Sequence, residues 1–498
     1  MSQEEKFDAV TDSEKDVGSL VGDLHNNQLF AKTRWSRQLL RWGVEERGIL
    51  PVPPEERTDR HYSKVFFVFL SANFNILSFS AGTLGPIAYG LGLRDTCLVI
   101  LFFNLLTNIP PAYLATFGPR LGLRQMCQAR YSFGYFGVII MSLFGMATGM
   151  GYNILNCILG GQTLSSVSNG HLSWTVGIVI IALISLFVSF CGYKVLVWYE
   201  RLMWIPVLVA YVVAVGLGGK HLINPPPAEP ATAADILSFA SVIAGFVISY
   251  GPCSSDYTLY YTPDVPAWKV FMYTYLGLNV PIITLQCLGA SFAVAASTVP
   301  AWNDGYTNGN VGGLLEAVLS PVGNFGKFLT VMLALSATGN IAITLYSFCM
   351  SFQVFIPQAI LVPRYFFSVL ATAIVIPLSI VGQHKFYDTL SNFLGLIGYW
   401  TSAFCAVVIV EHLVIRRGAF ANYDLRCWND YRRLPLGLAA IGACLLTVGL
   451  IVPSMGQVWF VGPFARTTGD IGFELAFVAT ALFYVPLRML ELRFRELV

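Results

Sequence analysis

Polar side chains that could recognise a small molecule lie inside apolar stretches of this chain. Tyr152 and Asn156 are four residues apart and therefore share one face of a helix. A carboxamide carries both donors and an acceptor, as does the edge of a heterocyclic base. The rings of Tyr152 and Tyr250 could stack on such a base. Asn340 and Thr344 lie among several hydroxyl residues in another apolar stretch, which indicates a second wall of the same cavity.

Helix association is the competing explanation for these polar residues. An asparagine in hydrocarbon is costly unless it is paired, so Asn153 and Asn156 should point into a bundle, where they could bond a neighbouring helix. Packing through small residues competes in the stretch around Asn340, and it explains Ser347 and Ser351 better than it explains the asparagine.

The elements that would position these residues are long apolar runs. Residues 174–192 carry no charge along about 19 residues, enough to cross a hydrocarbon core of about 30 Å. In lipid every backbone polar group must be bonded within the segment, so such runs must be helices. Of the 498 residues, 55% are hydrophobic and 12% charged, against about 25% charged in a soluble domain. The sequence therefore predicts an all-α polytopic membrane protein.

Twelve transmembrane helices are predicted between a cytosolic N-terminal tail, residues 1–60, and a short cytosolic C-terminal tail, residues 491–498. The predicted twelve-helix membrane domain covers residues 61–490, and residues 299–326 are predicted as its longest loop, with a short helix at LLEAVL. The predicted spans are 64–90, 95–117, 132–166, 174–192, 196–217, 235–260, 268–297, 327–353, 365–383, 389–415, 434–454 and 470–490.

The distribution of basic residues predicts that both termini are cytoplasmic, because cytosolic loops carry the excess of lysine and arginine. The loops assigned to the cytosol hold Arg120, Arg124, Arg130, Lys194, Lys269, Arg364, Arg416, Arg417, Arg426, Arg432 and Arg433. The opposite loops hold only Arg94, Lys220, Lys327, Lys385 and Arg466. The net charge of +2 gives no indication of a nucleic-acid partner, and no cysteine spacing predicts a metal site. No cofactor is expected.

Two of the predicted spans carry helix-breaking residues. Span one contains Gly82, Gly85 and Pro86, and span six contains Gly251 and Pro252. Glycine and proline are common in membrane helices, but a matched pair of interrupted helices is the best sequence indication of a secondary transporter's binding site. The pair predicts a five-plus-five inverted repeat, residues 61–217 and 235–415, followed by two accessory helices in residues 434–490.

Ionisable residues are sparse within the predicted spans. Asp256 follows the break in span six, and Glu200 lies near the start of span five. An intramembrane carboxylate is a functional candidate, so these two are the predicted proton-coupling residues. Glu411 and His412 end span ten, and we interpret them instead as partners in interfacial salt bridges.

Several longer motifs resemble the nucleobase–cation symport-1 family, and most closely its fungal purine–cytosine permease branch. The resemblance covers the chain from about residue 30 to its end. The motifs are SANFN and GTLGP in span one, GPRLGLRQMCQARYSFG before span three, GYNILN and GGQ in span three, SSDYTLYY after span six, FLGLIGYW in span ten and YDLRCWNDYRRLPLG before span eleven.

The resemblance implies a leucine-transporter-like fold of ten core helices plus two, which works by alternating access. Fungal relatives are proton symporters that import cytosine, adenine, guanine or hypoxanthine across the plasma membrane, and a vitamin B6 transporter belongs to the same branch. By similarity, the substrate site would include Ser78, Ser80, Tyr152, Asn156, Tyr250, Asn340 and Thr344.

The chain differs from the usual pattern of the branch at three of these positions. Tyr152 and Tyr250 stand where the permeases usually carry tryptophan. Ile343 and Thr344 lie where an NNxPN-type stretch is common. A site that pairs with a substrate amide rejects analogues strongly, so these changes are expected to redirect specificity.

The sequence therefore favours a transporter that takes up a nucleobase or similar heterocycle together with protons. A vitamin B6 transporter of the same fold and a substrate-sensing transceptor are the alternatives. An intramembrane enzyme would need histidines or carboxylates clustered within the bilayer to bind metal or activate water. The six histidines all lie in tails, loops or span ends, which disfavours an enzyme.

Overall fold

The structure is a computed structural model that describes residues 48–168, 170–190, 192–356 and 364–496. The side chains of residues 190–201, 346, 364, 365, 495 and 496 are outside that description. Most of the predicted N-terminal tail and the last two residues of the predicted C-terminal tail therefore lie outside the described residues.

The described residues are mainly α-helical. The helices are α1 Lys64–Asn73, α2 Ile76–Ala88, α3 Leu93–Thr107, α4 Ile109–Ala115, α5 Phe117–Leu121, α6 Gln125–Val167, α7 Trp174–Phe190, α8 Gly192–Leu222, α9 Ala233–Ile248, α10 Ala267–Ala296, α11 Pro300–Leu319, α12 Asn324–Phe355, α13 Arg364–Gly382, α14 Phe386–Val410, α15 Leu438–Ser454, α16 Ala465–Thr468 and α17 Gly472–Glu496. Two short strands, β1 Gly456–Gln457 and β2 Phe460–Val461, pair antiparallel as a hairpin.

Within the described residues, eight helical stretches are long and apolar enough to cross a membrane, and the bent pair α1–α2 makes nine. Two shorter apolar helices, Trp174–Ser189 and Leu438–Ser454, coincide with predicted spans four and eleven. The stretch Phe366–Ile415 covers two predicted spans, which are joined by the 3-10 turn Gln383–Lys385. Length and composition thus support eight or nine spans, and the number twelve remains an expectation.

The prediction of a long loop at residues 299–326 was wrong, because α11 occupies most of that segment. Val311, Leu314, Leu315 and Val318 are fully buried at helical spacing. The glycine- and asparagine-rich run before them obscured this pattern in the sequence. Asn310 has a positive φ of 51°, which puts a kink in the middle of the helix.

The longest helix, α6, packs along α12 through the centre of the molecule, and α2 packs along α10. Near its start α6 is interrupted at Gly134, whose φ is 71°. A Cβ there would lie 2.4 Å from the carbonyl oxygen of Pro435, so only glycine fits. The accessory helices α15 and α17 pack against each other, and α17 also packs against α14.

Candidate functional site

The first helix break lies between α1 and α2, which meet at an angle of 56°. Asn75 is the N-cap of α2: its Oδ1 accepts from the Ser78 amide at 3.0 Å. Its Nδ2 donates to the Ala72 carbonyl at the end of α1 at 2.6 Å. One side chain therefore satisfies backbone groups on both sides of the break, as a broken helix at membrane depth requires.

The glycines and proline predicted to break span one lie inside α2 instead. Gly82 faces α10, where an added Cβ would be 1.8 Å from the Gln286 carbonyl oxygen. Gly85 faces α3, where a Cβ would be 2.5 Å from the Thr96 methyl group. Pro86 lies in the last turn of α2. Both glycines thus permit close helix packing, and the break is placed by Asn75.

The second break follows α9, which ends at Ile248 and is succeeded by a 3-10 segment, Gly251–Tyr257. Pro252 occupies the first turn of that segment, where its missing amide costs little. Tyr250 lies between the two elements, and its hydroxyl donates to Asn73 Oδ1 at 2.9 Å. The two breaks are therefore joined directly by a side-chain hydrogen bond.

A cavity of about 80 Å³ lies where the two breaks meet α6 and α12. This cavity is smaller than the cavity of about 150 Å³ that accepts benzene in an engineered protein. The cavity walls must therefore move apart before a single aromatic ring can bind. Four of the predicted substrate residues line it: Tyr152, Tyr250, Asn340 and Thr344. Its other polar lining residues include Asn73, Thr148, Ser249, Tyr257, Ser347, Ser351 and Trp400.

The sequence interpretation missed one aromatic residue of the cavity wall, Trp400. Its indole nitrogen donates to Thr148 Oγ1 at 3.1 Å, which connects α14 to α6 beside the cavity. The motif FLGLIGYW contains this tryptophan, so its position in a conspicuous run was the available signal.

The two tyrosines contribute rings to the cavity while their hydroxyls bond the protein. The Tyr152 hydroxyl donates to the Phe246 carbonyl at 3.0 Å and lies 2.9 Å from Ser249 Oγ. The ring of Tyr250 meets Phe69 edge to face, with centroids 5.4 Å apart. Since the hydroxyls are already bonded, the aromatic surfaces are what these residues offer to a ligand.

The side-chain amides of Asn156 and Asn340 connect α6 to α12 beside the tyrosine wall, which is formed by the rings of Tyr152 and Tyr250 that line the cavity. Asn156 Nδ2 donates to Asn340 Oδ1 at 3.0 Å and to the Tyr152 carbonyl at 2.8 Å. Asn340 Nδ2 donates to the Ala72 carbonyl at 3.0 Å. Asn156 Oδ1 is buried and accepts no hydrogen bond from the described residues. Asn156 does not itself line the cavity, but its two hydrogen-bond partners, Tyr152 and Asn340, do.

The predicted substrate residues Ser78 and Ser80 are fully buried and do not line the cavity. Ser78 Oγ donates to the Asn73 carbonyl at 2.6 Å, so it supports the first break. Ser80 Oγ makes no hydrogen bond with the described residues. Thr344, which does line the cavity, donates its hydroxyl to the Asn340 carbonyl at 2.7 Å.

The structure describes the side chain of one predicted proton-coupling residue, Asp256, but not that of the other, Glu200. Asp256 lies in the 3-10 segment, and its Oδ1 accepts from the Gln125 amide at the first turn of α6 at 2.8 Å. A carboxylate there interacts favourably with the positive end of the helix. Glu200 is within α8, and its side chain lies outside the described residues.

Glu411 forms the predicted ion pairs, but it does so while buried. Its carboxylate contacts Arg416 Nε and Arg488 Nε, both at 3.1 Å, and accepts from the Tyr484 hydroxyl at 2.8 Å. The corresponding prediction for His412 was wrong. Its ring packs instead on Phe117, with centroids 4.6 Å apart, and on further rings of the adjacent loop.

The cavity is closed toward the end of the bundle that carries the β-hairpin, here called the hairpin end. The Tyr89 hydroxyl lies 2.8 Å from Ser391 Oγ, which joins α2 to α14. Gly245 of α9 packs so closely on α14 that a Cβ would lie 2.0 Å from the Leu394 carbonyl oxygen. In the opposite direction the cavity extends to Met126 and Ser351.

Comparison with protein families places the chain among membrane permeases. The family described as "Permease for cytosine/purines, uracil, thiamine, allantoin" matches residues 51–475, and the chain belongs to this family. The resemblance inferred from the sequence motifs is confirmed. The family consists of permeases, which are transporters and not enzymes.

Similar proteins include two fungal permeases and a vitamin transporter. Purine-cytosine permease fcyB of Emericella nidulans is 35% identical over 457 residues, which cover 91% of this chain and 89% of that protein. Purine-cytosine permease FCY2 of Saccharomyces cerevisiae is 32% identical over 464 residues, covering 91% and 87%. Vitamin B6 transporter TPN1 of the same yeast is 28% identical over 525 residues, covering 94% and 91%.

Among solved structures, the chain is similar to Mhp1, a nucleobase-cation-symport-1 family transporter. The closed conformation of Mhp1 with bromovinylhydantoin bound matches with a TM-score of 0.66 and 15% identity, covering 91% of this chain and 96% of that one. The inward-facing conformation of Mhp1 matches with a TM-score of 0.67, covering 90% and 94%. The protein therefore has the Mhp1-like transporter fold.

Proposed function

We propose that this protein is a proton-coupled symporter that imports a purine or pyrimidine nucleobase, or a similar planar nitrogen heterocycle, across the plasma membrane. Its N- and C-termini would be cytoplasmic. The purine-cytosine permeases that it resembles at 35% and 32% identity support the substrate class. The basic residues concentrated on one side of the predicted membrane support the orientation.

The observation that carries the proposal is the cavity between two interrupted helices, bounded by tyrosine rings and backed by an amide pair. A heterocycle would lie against the rings of Tyr152 and Tyr250. Asn340 would bond the polar edge of the heterocycle. Asn156 Oδ1, which accepts no hydrogen bond from the part of the chain that the structure describes, would accept from a ring N–H or an exocyclic amine once the cavity walls move apart. Burial of an amide group without a partner is costly, so such a site discriminates between ring edges.

Transport would proceed by alternating access in a twelve-helix protein built from two inverted repeats, residues 61–217 and 235–415, with accessory helices in residues 434–490. The break at Asn75 and the break at Tyr250 belong to corresponding helices of the two repeats. The closed contacts at the hairpin end and the extension of the cavity toward Met126 support a conformation that is occluded from the outside.

Proton coupling requires a group whose proton affinity differs between the two states of the cycle. Asp256 is the residue that we propose for this role, because it lies in the 3-10 segment of the second break and also contacts the start of α6. A movement of one element relative to the other would change the surroundings of its carboxylate. Glu200 remains the second candidate on sequence grounds.

The experiment is uptake by cells that express the full chain and lack their own nucleobase permeases. Radiolabelled cytosine, adenine, hypoxanthine and pyridoxine are each supplied at pH 5 and pH 8. We expect saturable uptake of at least one nucleobase, faster at pH 5, and its loss when a protonophore is added. Uptake of pyridoxine alone would assign the vitamin B6 alternative. Binding without flux of any of the four would identify a transceptor, and the absence of both would refute the proposal.

A further inference from the structure

The last part of the predicted N-terminal tail packs onto the bundle at the end opposite the hairpin. We call residues 48–52 the strap. Ile49 and Leu50 of the strap are 3% and 4% exposed, and they share one buried apolar cluster with Met126 of α6 and Val354 of α12. Removal of apolar surface from water favours this position. The strap therefore has an apolar seat between the start of α6 and the end of α12.

Hydrogen bonds hold the backbone of the strap to α6 and to the turn before it. The Gly48 carbonyl accepts from Arg124 Nε at 3.2 Å, and the Val52 amide donates to the Gly122 carbonyl at 2.8 Å. Gly122 has a φ of 63°, and a Cβ there would lie 2.6 Å from the Val52 carbonyl oxygen. Glycine at this position thus permits the strap and the turn to approach closely.

The strap lies next to the residues that end the cavity on this side. Met126 and Ser351 are the lining residues toward this end. The residue after Met126, Cys127, donates from Sγ to the Ile49 carbonyl at 3.7 Å. Two residues after Ser351, Gln353 contacts the strap, since a Cβ added at the first strap residue would lie 2.3 Å from Gln353 Oε1. The strap thus bridges the two helices between which the cavity would open.

A stiff connection leads from the strap to a fixed point on the bundle. Residues 51–54 include three prolines, whose rings hold φ near one value. Beyond them Arg57 is 2% exposed, and its Nη1 donates to the Pro119 carbonyl of α5 at 2.7 Å. Asp59 then pairs with Tyr261, which follows the second break. The strap can therefore lift from its seat while Arg57 and Asp59 remain in place.

The predicted orientation makes this end of the bundle cytosolic, and an imported substrate would leave through it. The other end is closed by contacts that include the one between Tyr89 and Ser391. With the strap seated, both routes from the cavity are therefore obstructed. A segment held by two apolar side chains and a few hydrogen bonds belongs to the part of a structure that opens most easily.

We propose that the strap is an inner gate: when seated it closes the cavity toward the cytosol, and substrate is released when it leaves its seat. This inference rests on the proposed transport function and deepens it. Loss of the apolar contacts of Ile49 and Leu50 should therefore expose the cavity to reagents on the cytosolic side. A tail that only stabilised the folded protein would leave the cavity as inaccessible as before.

The test measures access to the cavity from the cytosolic side, without relying on transport. Ser351→Cys is introduced into the full chain as a reporter, alone and together with Ile49→Ala and Leu50→Ala. Inside-out membrane vesicles are treated with a membrane-impermeant methanethiosulfonate at one fixed pH. Each chain is also measured with Ser351 retained, and that labelling, which includes native cysteines such as Cys253 of the cavity wall, is subtracted.

We expect the labelling rate of the reporter to rise by about tenfold or more, because truncating two buried side chains shifts the seating equilibrium by a larger factor still. Ile451→Ala with Leu434→Ala is the matched control. These two side chains are 7% and 2% exposed and belong to the same apolar cluster, but they lie in the accessory part of the chain. The control should leave labelling unchanged. Equal labelling of the strap variant and the control would overturn the proposal.

A second variant keeps every buried apolar side chain. Gly48 has a φ of 53°, which valine rarely adopts, so Gly48→Val should unseat the start of the strap and also raise labelling. Gly418→Val is its control, since Gly418 has a φ of 67° and nothing lies within 4 Å of a Cβ there. If the double alanine variant does not reach the membrane, labelling of G48V no faster than that of G418V refutes the proposal. Because labelling needs no substrate, a failure of nucleobase uptake leaves this outcome readable.

Discussion

Asn156 of α6 and Asn340 of α12 are hydrogen-bonded at 3.0 Å, and Asn340 continues the connection to the Ala72 carbonyl at the end of α1. Three helices that bound the cavity are therefore held by two amides. Any movement that separates α1 from α12 must break this chain of bonds or carry it along.

Asn340→Ala should abolish uptake, because it removes the polar edge proposed to bind the substrate. It also leaves the Ala72 carbonyl without one of its donors and Asn156 Nδ2 without one of its acceptors, which costs about 1–3 kcal/mol of stability. Uptake and the thermal stability of the detergent-solubilised protein measure the two effects. Asn308→Ala is the control, since Asn308 is an exposed amide on α11 that bonds only the Asp304 carbonyl in the description given by the structure. Equal uptake by both variants would contradict the assignment.

Tyr250 should tolerate loss of its hydroxyl better than loss of its ring. Tyr250→Phe breaks the bond to Asn73 Oδ1, a loss of about 1 kcal/mol, and should raise the KM by roughly fivefold. Tyr250→Ala removes the aromatic wall and should abolish saturable uptake. The concentration dependence of uptake separates the two, and a larger defect in Tyr250→Phe than in Tyr250→Ala would refute the stacking role.

The variant Asp256→Asn distinguishes a role of the carboxylate in proton coupling from a structural role in capping the start of α6. Asparagine caps a helix N-terminus about as well as aspartate, so the bond from the Gln125 amide can persist in the variant. If the carboxylate carries the coupled proton, concentrative uptake should be lost while exchange of internal for external substrate continues. Accumulation ratios and exchange rates are the measurements. Unchanged accumulation in the variant would exclude Asp256 as the coupling group.

Gly82→Ala should prevent correct folding, because the added methyl would meet the backbone of α10 at Gln286, which cannot move aside. Overpacking of this kind costs typically 1–3 kcal/mol and occasionally more. Gly216→Ala is the matched control, since nothing lies within 4 Å of a Cβ there and alanine favours a helix. Surface abundance and thermal stability should fall for the first variant and hold for the second. Normal abundance of Gly82→Ala would contradict the close packing of α2 on α10.

Glu411→Gln should destabilise the protein by about 3–5 kcal/mol, because it leaves the buried Arg488 and the partly buried Arg416 without their shared carboxylate. Asp430→Asn is the comparison. The Arg433–Asp430 pair is exposed and 3.6 Å apart, so solvent screens it and its loss should change the unfolding temperature little. Thermal unfolding of both variants in the same detergent tests the difference, and similar destabilisation would show that burial does not matter here.

Much of this architecture is predictable from the sequence, because long uncharged apolar runs in lipid permit only helices. The family was also evident, since motifs such as GPRLGLRQMCQARYSFG are long. Four residues of the cavity wall were predicted because polar side chains stand out in apolar stretches. Local composition does not reveal which helix lies opposite a glycine, so Gly82 and Gly85 were misinterpreted as breaks when they permit close packing.

Features that depend on distant parts of the chain were not predictable from local patterns. Ser78 and Ser80 lie in a broken helix but are buried and do not line the cavity, and only the packed structure shows this. Asp470 precedes the last helix in an unremarkable loop, and its burial follows from the position of the hairpin against α14. The end of helix α11 was predicted as a short helix at LLEAVL, but its earlier part was missed because its glycines weakened the apolar pattern.

The capping of the break between α1 and α2 has a consequence for motion. Asn75 bonds the Ala72 carbonyl of the first half-helix through its Nδ2 and the Ser78 amide of the second through its Oδ1. The angle of 56° between the half-helices is therefore held in part by one side chain. Tilting one half-helix against the other must strain or break one of these two bonds, so the energy of the tilt depends on this single asparagine.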